Sequence, residues 1–337
     1  MQKRKTDLKS DGGPLTIKSV EEMLAEIKKK KSTTRDVVAS AGKKFLVLLE
    51  PQVVEREDDD LPQEDLEDEE EDAGDDPSED AEIDDGDARR CHVTYGYHLV
   101  RGKMKHGMED YVVAKTQHIS GNEVGLYAKF DGHSGKYVAE YLQNHLFENI
   151  LSEDNFWTDP ETAVKKAYKA TDEEILDRVV GSRGGSTAVT AMLINRDKLL
   201  VAKVGDSRGI LCKRRAVEQV TVDHEPEKED EKEHVEIKGG CNIPRVDGQL
   251  AMTRAFGDGK LKDHITSEPD VRVEHIDEDA KFIVLASDVV WKVMSNEDVC
   301  DCIKDLDDAQ EAAEMVVKEA LSRKSQDDIS CVVVLFH

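Results

Sequence analysis

From Cys91 onward the chain is built of short apolar runs, rich in β-branched and aromatic residues, separated by turn residues. Tyr111-Val112-Val113-Ala114 leads through Ser120-Gly121-Asn122 into Gly125-Leu126-Tyr127-Ala128-Lys129-Phe130, which predicts a hairpin with a Gly-containing loop. Residues 188–194 and 199–204 predict a second hairpin. Phe282-Ile283-Val284-Leu285-Ala286 reads as a buried strand by composition, and residues 329–336 close the chain as a strand. Val138, Leu142, Leu146 and Ile150 recur at helical spacing across 138–151, and further helices are predicted over 161–180, 296–303 and 309–321. Strands and helices mix without strict βαβ alternation. That favours an α+β fold of two stacked antiparallel β-sheets flanked by helices.

Residues 1–90 read as an appendage to a domain spanning 91–337. Ser19-Val20-Glu21-Glu22 is a capping-box signature for a short helix that ends in Lys28 to Lys31, and Phe45-Leu46-Val47-Leu48-Leu49 is an apolar run. Between Glu55 and Asp87, 21 acidic residues stand against one Arg, which accounts for about −20 of the chain's net charge of −27. A segment of that kind cannot offset its ordering entropy by burying apolar surface and is expected to be disordered, as a tail, a linker or a docking arm for basic partners. The remaining charge of about −7 is ordinary for a soluble domain.

No run approaches the roughly 18 apolar residues of a membrane helix, and the N-terminus lacks a signal-peptide core. The six cysteines form no CxxC pair, so reduced intracellular thiols are expected. The expected setting is the cytoplasm or, given the basic runs Lys3-Arg4-Lys5 and Lys28 to Lys31, the nucleus. No nucleic-acid or membrane partner and no obligate assembly is indicated, and a monomer is expected.

The candidate chemistry lies in acidic residues at predicted strand ends: Glu109-Asp110, Asp131, Asp206, Asp288 and Asp327-Asp328. Glu109 and Asp110 precede the first strand of the first hairpin, and Asp131 follows its second. In an antiparallel pair those positions share one edge, so these carboxylates should be neighbours. Asp206 follows residues 199–204, Asp288 follows the strand ending at Ala286, and Asp327 precedes the last strand. Clustered like charges repel and need cations or raised pKa values to persist. Oxygen ligands without Cys or paired His select Mg²⁺ or Mn²⁺.

Eight strings in order carry a resemblance. They are Gly107-Met108-Glu109-Asp110, Phe130-Asp131-Gly132-His133, Gly185-Ser186-Thr187-Ala188, Val204-Gly205-Asp206-Ser207-Arg208, Gly248-Gln249-Leu250-Ala251, Arg254-Ala255-Phe256-Gly257-Asp258, Ala286-Ser287-Asp288 and Asp327-Asp328-Ile329-Ser330. Over residues 91–337 the chain resembles the PP2C-type (PPM) metal-dependent serine/threonine protein phosphatases, plant members in particular. The resemblance implies a centre of two Mg²⁺ or Mn²⁺ ions acting on phosphoserine and phosphothreonine in phosphorylated protein substrates. It implies that Asp131 bridges the ions, that the Gly132 carbonyl binds one, and that Asp288 and Asp327 bind the other. Glu109 and Asp110 would act directly or through water, Asp206 would belong to a third, weaker site, and His133 would be the general acid.

Four features depart from that pattern. Val289 follows Asp288 where the family has Gly, and Gly there often supplies a positive φ or a close backbone approach; a shift of Asp288 and weakened activity are therefore expected. Lys105 stands where many members carry a phosphate-binding Arg; it keeps the charge but loses the bidentate fork. Lys292 replaces an aspartate near Asp288, which bears on the third metal site. The flap segment 239–245 is short. Val289 and the short flap motivate a rival reading, a catalytically weakened relative that binds phosphoproteins or kinases without turnover; a small-molecule phosphohydrolase is a third. Gly181-Ser182-Arg183-Gly184-Gly185-Ser186-Thr187 lacks the Lys of a nucleotide P-loop and reads as a tight turn.

Overall fold

The computed structural model describes residues 92–179, 184–226, 231, 245–246 and 248–337. The helix, apolar run and acidic stretch expected within residues 1–90 lie outside the described residues, as do residues 239–244 of the flap.

Eleven strands and five helices follow one another among the described residues. The strands are β1 (Val93–Val100), β2 (Asp110–Ile119), β3 (Asn122–His133), β4 (Gly185–Ile194), β5 (Lys198–Val204), β6 (Arg208–Lys213), β7 (Ala216–Gln219), β8 (Phe256–Gly257), β9 (Asp270–His275), β10 (Ala280–Ala286) and β11 (Ile329–Phe336). The helices are α1 (Tyr137–Leu151), α2 (Pro160–Arg178), α3 (Asp288–Trp291), α4 (Asn296–Ile303) and α5 (Ala309–Ser322). One antiparallel sheet has the order β1-β11-β10-β6-β7; the other runs β2-β3-β4-β5-β9, with β8 paired to β4.

Local chemistry explains the element ends. The β2–β3 turn is Ser120-Gly121, both at positive φ (51° and 81°), which suits a two-residue hairpin. Helix α2 opens on Asp159, whose carboxylate accepts from the Thr162 N–H, with Pro160 in its first turn. Helix α4 carries a capping box between Ser295 and Asp298. Helix α3 and strands β1, β6, β7 and β9 were not separable in the sequence, because short or charge-interrupted runs such as Asp270-Val271-Arg272-Val273 carry little periodic signal.

Both faces of each sheet are covered, so the central strands are apolar throughout. Along β11, Val332 and Val334 pack between the sheets against Val189, Val201, Ile283 and Leu285. Cys331, Val333 and Leu335 point the other way, into a cluster with Val299, Ala313, Val316 and Val317 of α4 and α5. Leu126, Ala128 and Phe130 of β3 meet Leu142, Leu146 and Tyr168 of α1 and α2. Each large buried side chain contributes about 1.5–3 kcal/mol. The result is a four-layer sandwich with two helical covers, and the strand ends at one edge lie beside each other.

Candidate metal centre

The β2–β3 register places Asp110 directly opposite Asp131, with Glu109 one residue before β2. Strand β3 does not stop at Phe130. Its pairing with β4 continues through Asp131↔Thr187, Gly132↔Ser186 and His133↔Gly185, so Asp131 and His133 are held as strand residues. The Gly132 N–H donates to the Glu109 carbonyl at 3.1 Å. A Cβ on Gly132 would lie 2.7 Å from that oxygen, so this approach requires glycine.

Lys129 is the residue that sequence reasoning missed. Its side chain is fully buried, and its Nζ donates to Asp131 Oδ2 at 2.6 Å and to Ser207 Oγ at 3.3 Å, with Asp110 Oδ1 at 3.4 Å. The available signal was a lone ammonium in the apolar run Gly125-Leu126-Tyr127-Ala128-Lys129-Phe130. Burial pulls the lysine pKa down, but the charges of Asp110 and Asp131 outweigh it and hold the ammonium above its usual value.

Hydrogen bonds tie the two sheets together at this edge. Ser330 Oγ, on β11, donates to Asp110 Oδ2 at 2.7 Å. The Ser330 N–H donates to Ser287 Oγ at 3.2 Å and the Ser287 N–H returns to the Ser330 carbonyl at 3.1 Å, which fixes the residue before Asp288. Asp328 acts as a clamp: its two carboxylate oxygens accept from the N–H groups of Gly102 (2.8 Å) and Glu109 (2.9 Å). Asp327, beside it, is half exposed, with His106 Nε2 at 3.4 Å. Ligand atoms of His106, Asp327 and Asp328 all lie within 4.8 Å of one another, a potential donor group in which His106 joins the two aspartates that the sequence singles out.

Asp206 enters from the β5–β6 turn. Gly205 has φ 105°, and its N–H donates to His224 Nδ1 at 3.1 Å. That nitrogen therefore carries no proton, and Nε2–H donates to Asp270 at 3.0 Å. Ser207 joins Thr187 Oγ1 at 3.0 Å and, through its hydroxyl, Lys129.

The electrostatics show a cluster short of positive charge. Burial, then Asp288 and Asp131, push the Asp206 carboxyl up to about 7. Burial raises Asp110 well above the ordinary carboxylate value, with Lys129 opposing and Asp131 adding to it. Glu109 is raised chiefly by burial. Hard oxygen donors carrying uncompensated charge fit a hard metal cation.

His133 flanks the cluster. Its Nε2 lies 2.6 Å from Asp258 Oδ2. Burial lowers the imidazole pKa, but the hydrogen bond and charge of Asp258, with Asp131 and Asp206 behind, raise it overall. Gly185 makes the pair possible: a Cβ there would stand 2.2 Å from Asp258 Oδ2 and 2.6 Å from His133 Nε2. The Gly-rich segment seen in the sequence thus serves close packing, at Gly184 and Gly185.

Three departures take a definite form. Val289 lies in α3, buried among Ile210, Ala286 and Val290, and is not among the residues at positive φ. The expectation that a β-branched residue here strains the backbone is therefore corrected: the position is right-handed helical, which valine adopts. Lys292, at the end of α3, forms an ion pair with Asp288. Lys105 is exposed on the loop before β2.

The chain matches the protein phosphatase 2C family over residues 100–329. It is 58% identical over 254 residues to "Probable protein phosphatase 2C 28" of Arabidopsis thaliana, covering 73% of this chain and 74% of that protein. It is 51% identical over 254 residues to "Probable protein phosphatase 2C 62" of Oryza sativa subsp. japonica, covering 72% and 87%. The fold is similar to a serine-threonine phosphatase 2C from Toxoplasma gondii, with a TM-score of 0.65 at 23% identity over 72% of this chain and 94% of the other.

Proposed function

This chain belongs to the protein phosphatase 2C family and is a protein serine/threonine phosphatase, and from that premise we propose that its carboxylate edge holds two divalent cations, Mg²⁺ or Mn²⁺, for hydrolysis of phosphoserine and phosphothreonine. The observation that carries this reading is that Asp110 and Asp131 share Lys129, while Ser330 ties Asp110 across the sheets to Ser287, the residue before Asp288.

Asp131, Gly132, Glu109, Asp110, Asp288 and Asp327 would hold the cations, and Asp206 would face them. When bound, the cations supply the charge that activates water and neutralises the phosphate. The chain's own residues do the rest. His133, kept protonated more readily by Asp258, gives its proton to the departing seryl or threonyl oxygen. Asp258 orients the imidazole, and Asp328 holds the 102–109 loop so that Glu109 keeps its place. Lys105 on that loop attracts the incoming phosphate as a point charge. An intracellular setting accords with the free thiols of Cys212, Cys300, Cys302 and Cys331.

The test is hydrolysis of a phosphothreonine peptide with Mn²⁺ by the wild type and Asp131→Asn. Wild-type turnover that EDTA abolishes and Asp131→Asn lacks supports the assignment. Equal turnover by the two proteins, or turnover that survives EDTA, refutes it.

A further inference from the structure

Six carboxylates are assigned to the proposed centre: Glu109, Asp110, Asp131, Asp206, Asp288 and Asp327. Asp328 and Asp258 are already engaged, by two backbone N–H groups and by His133 respectively. The chain sends two ammonium groups into the same edge. Lys129 lies buried between Asp110 and Asp131. Lys292 forms an ion pair with Asp288.

The Lys292 contact follows from local geometry. Asp288 and Lys292 stand one helical turn apart, and the Lys292 N–H donates to the Asp288 carbonyl at 3.0 Å. Helical side chains lean toward the N-terminus, which carries the ammonium back over the Asp288 carboxylate. Its stem is largely exposed while its head is held on a carboxylate that is only 20% exposed. Asp206 and Asp131 also act on this ammonium, and after Asp288 they are the charges that stabilise it. The lysine therefore addresses the Asp206–Asp288 side of the cluster.

We propose that Lys292 is a tethered cation standing in for an additional divalent ion between Asp206 and Asp288, so that this phosphatase works with two ions and no third. The charge balance agrees. Six carboxylates less two lysines leave four negative charges, which two divalent cations match. A flexible ammonium on an exposed stem can also swing away, whereas Lys129 cannot, so Lys292 sets how strongly the Asp288 side competes for metal. This inference rests on the metal centre proposed above.

The experiment counts bound ions without reference to turnover. Full-length wild type, Lys292→Met and Lys292→Asp are titrated with Mn²⁺, free Mn²⁺ being followed by its electron paramagnetic resonance signal and heats by calorimetry. The wild type should bind two ions. Lys292→Met should bind its weaker ion about tenfold more tightly, as expected for removal of one unit charge near a divalent ion in a partly solvated site. Lys292→Asp should bind a third ion. Three proteins with the same two ions at the same affinities would overturn the role of Lys292 and leave the metal centre standing. A wild type that binds no Mn²⁺ would overturn both, and a wild type that binds three would overturn the lysine's role alone. Circular dichroism of each variant checks that the exposed substitution leaves the fold intact.

Discussion

His133 and Asp258 lie 125 positions apart in the chain and 2.6 Å apart in space, and the contact depends on the missing side chain of Gly185. Asp258 thereby positions the imidazole and favours its protonated form. His133→Asn should lower kcat on a phosphothreonine peptide by about 10²–10⁴-fold, the usual worth of a general acid. It should cost much less on p-nitrophenyl phosphate, whose leaving group needs no proton. Asp258→Asn should follow the same pattern more weakly, with KM little changed. Equal losses on both substrates would remove His133 from the role of acid.

Lys129 gives a second expectation. It is a fully buried cation whose removal leaves Asp110 and Asp131 without their internal partner. Lys129→Met should destabilise the metal-free protein by about 3–5 kcal/mol, because an uncompensated buried charge remains. Mn²⁺ should restore more stability to the variant than to the wild type, since binding to the native state adds stability in proportion to occupancy. Thermal melts with EDTA and with Mn²⁺ measure both. A variant whose melting point responds to Mn²⁺ no more than the wild type's would contradict the compensating role.

Asp270 supplies a pH dependence away from the cluster. Its carboxyl is lowered to about 2 by the His224 hydrogen bond, against burial, and by Arg254. A depressed folded-state pKa stabilises fully above the unfolded value, near 3.9, and that contribution fades as pH falls through about 2. Asp270→Asn should therefore be less stable than the wild type at pH 7, by about 1 kcal/mol once solvent screening of this half-exposed group is allowed for. The gap should close between about pH 4 and pH 2. Urea melts across pH report it, and a gap that widens on acidification would reverse the sign.

Read from the sequence alone, Val289 impairs the site. The helical conformation of α3 and the burial of Val289 predict the opposite. Val289→Gly should cost about 2–4 kcal/mol, from helix propensity and lost packing. Turnover should not rise. An increase in kcat on Val289→Gly would restore the strained-ligand reading.

Much of the framework was legible because the cues are local. Apolar periodicity located α1, α2, α4, α5 and β11 within a few residues, and Ser120-Gly121 announced the tight turn between β2 and β3. Antiparallel pairing across that turn obliges Asp110 and Asp131 to meet, so this part of the centre follows from the chain alone.

Tertiary structure decided the rest. Lys129 becomes an internal counter-ion only because both faces of its sheet are covered, and a charge in such a layer must find carboxylates. Asp328 rather than Asp327 is the clamp on the loop before β2, since β11 presents it to the N–H groups of Gly102 and Glu109. Val289 is accommodated because the chain turns into a helix directly after Ser287, a turn anchored by Ser330 on the neighbouring strand. Period and turn chemistry act over a few residues and are written in the sequence; which polar atom faces which depends on packing between segments far apart in the chain, and only the folded sandwich sets it.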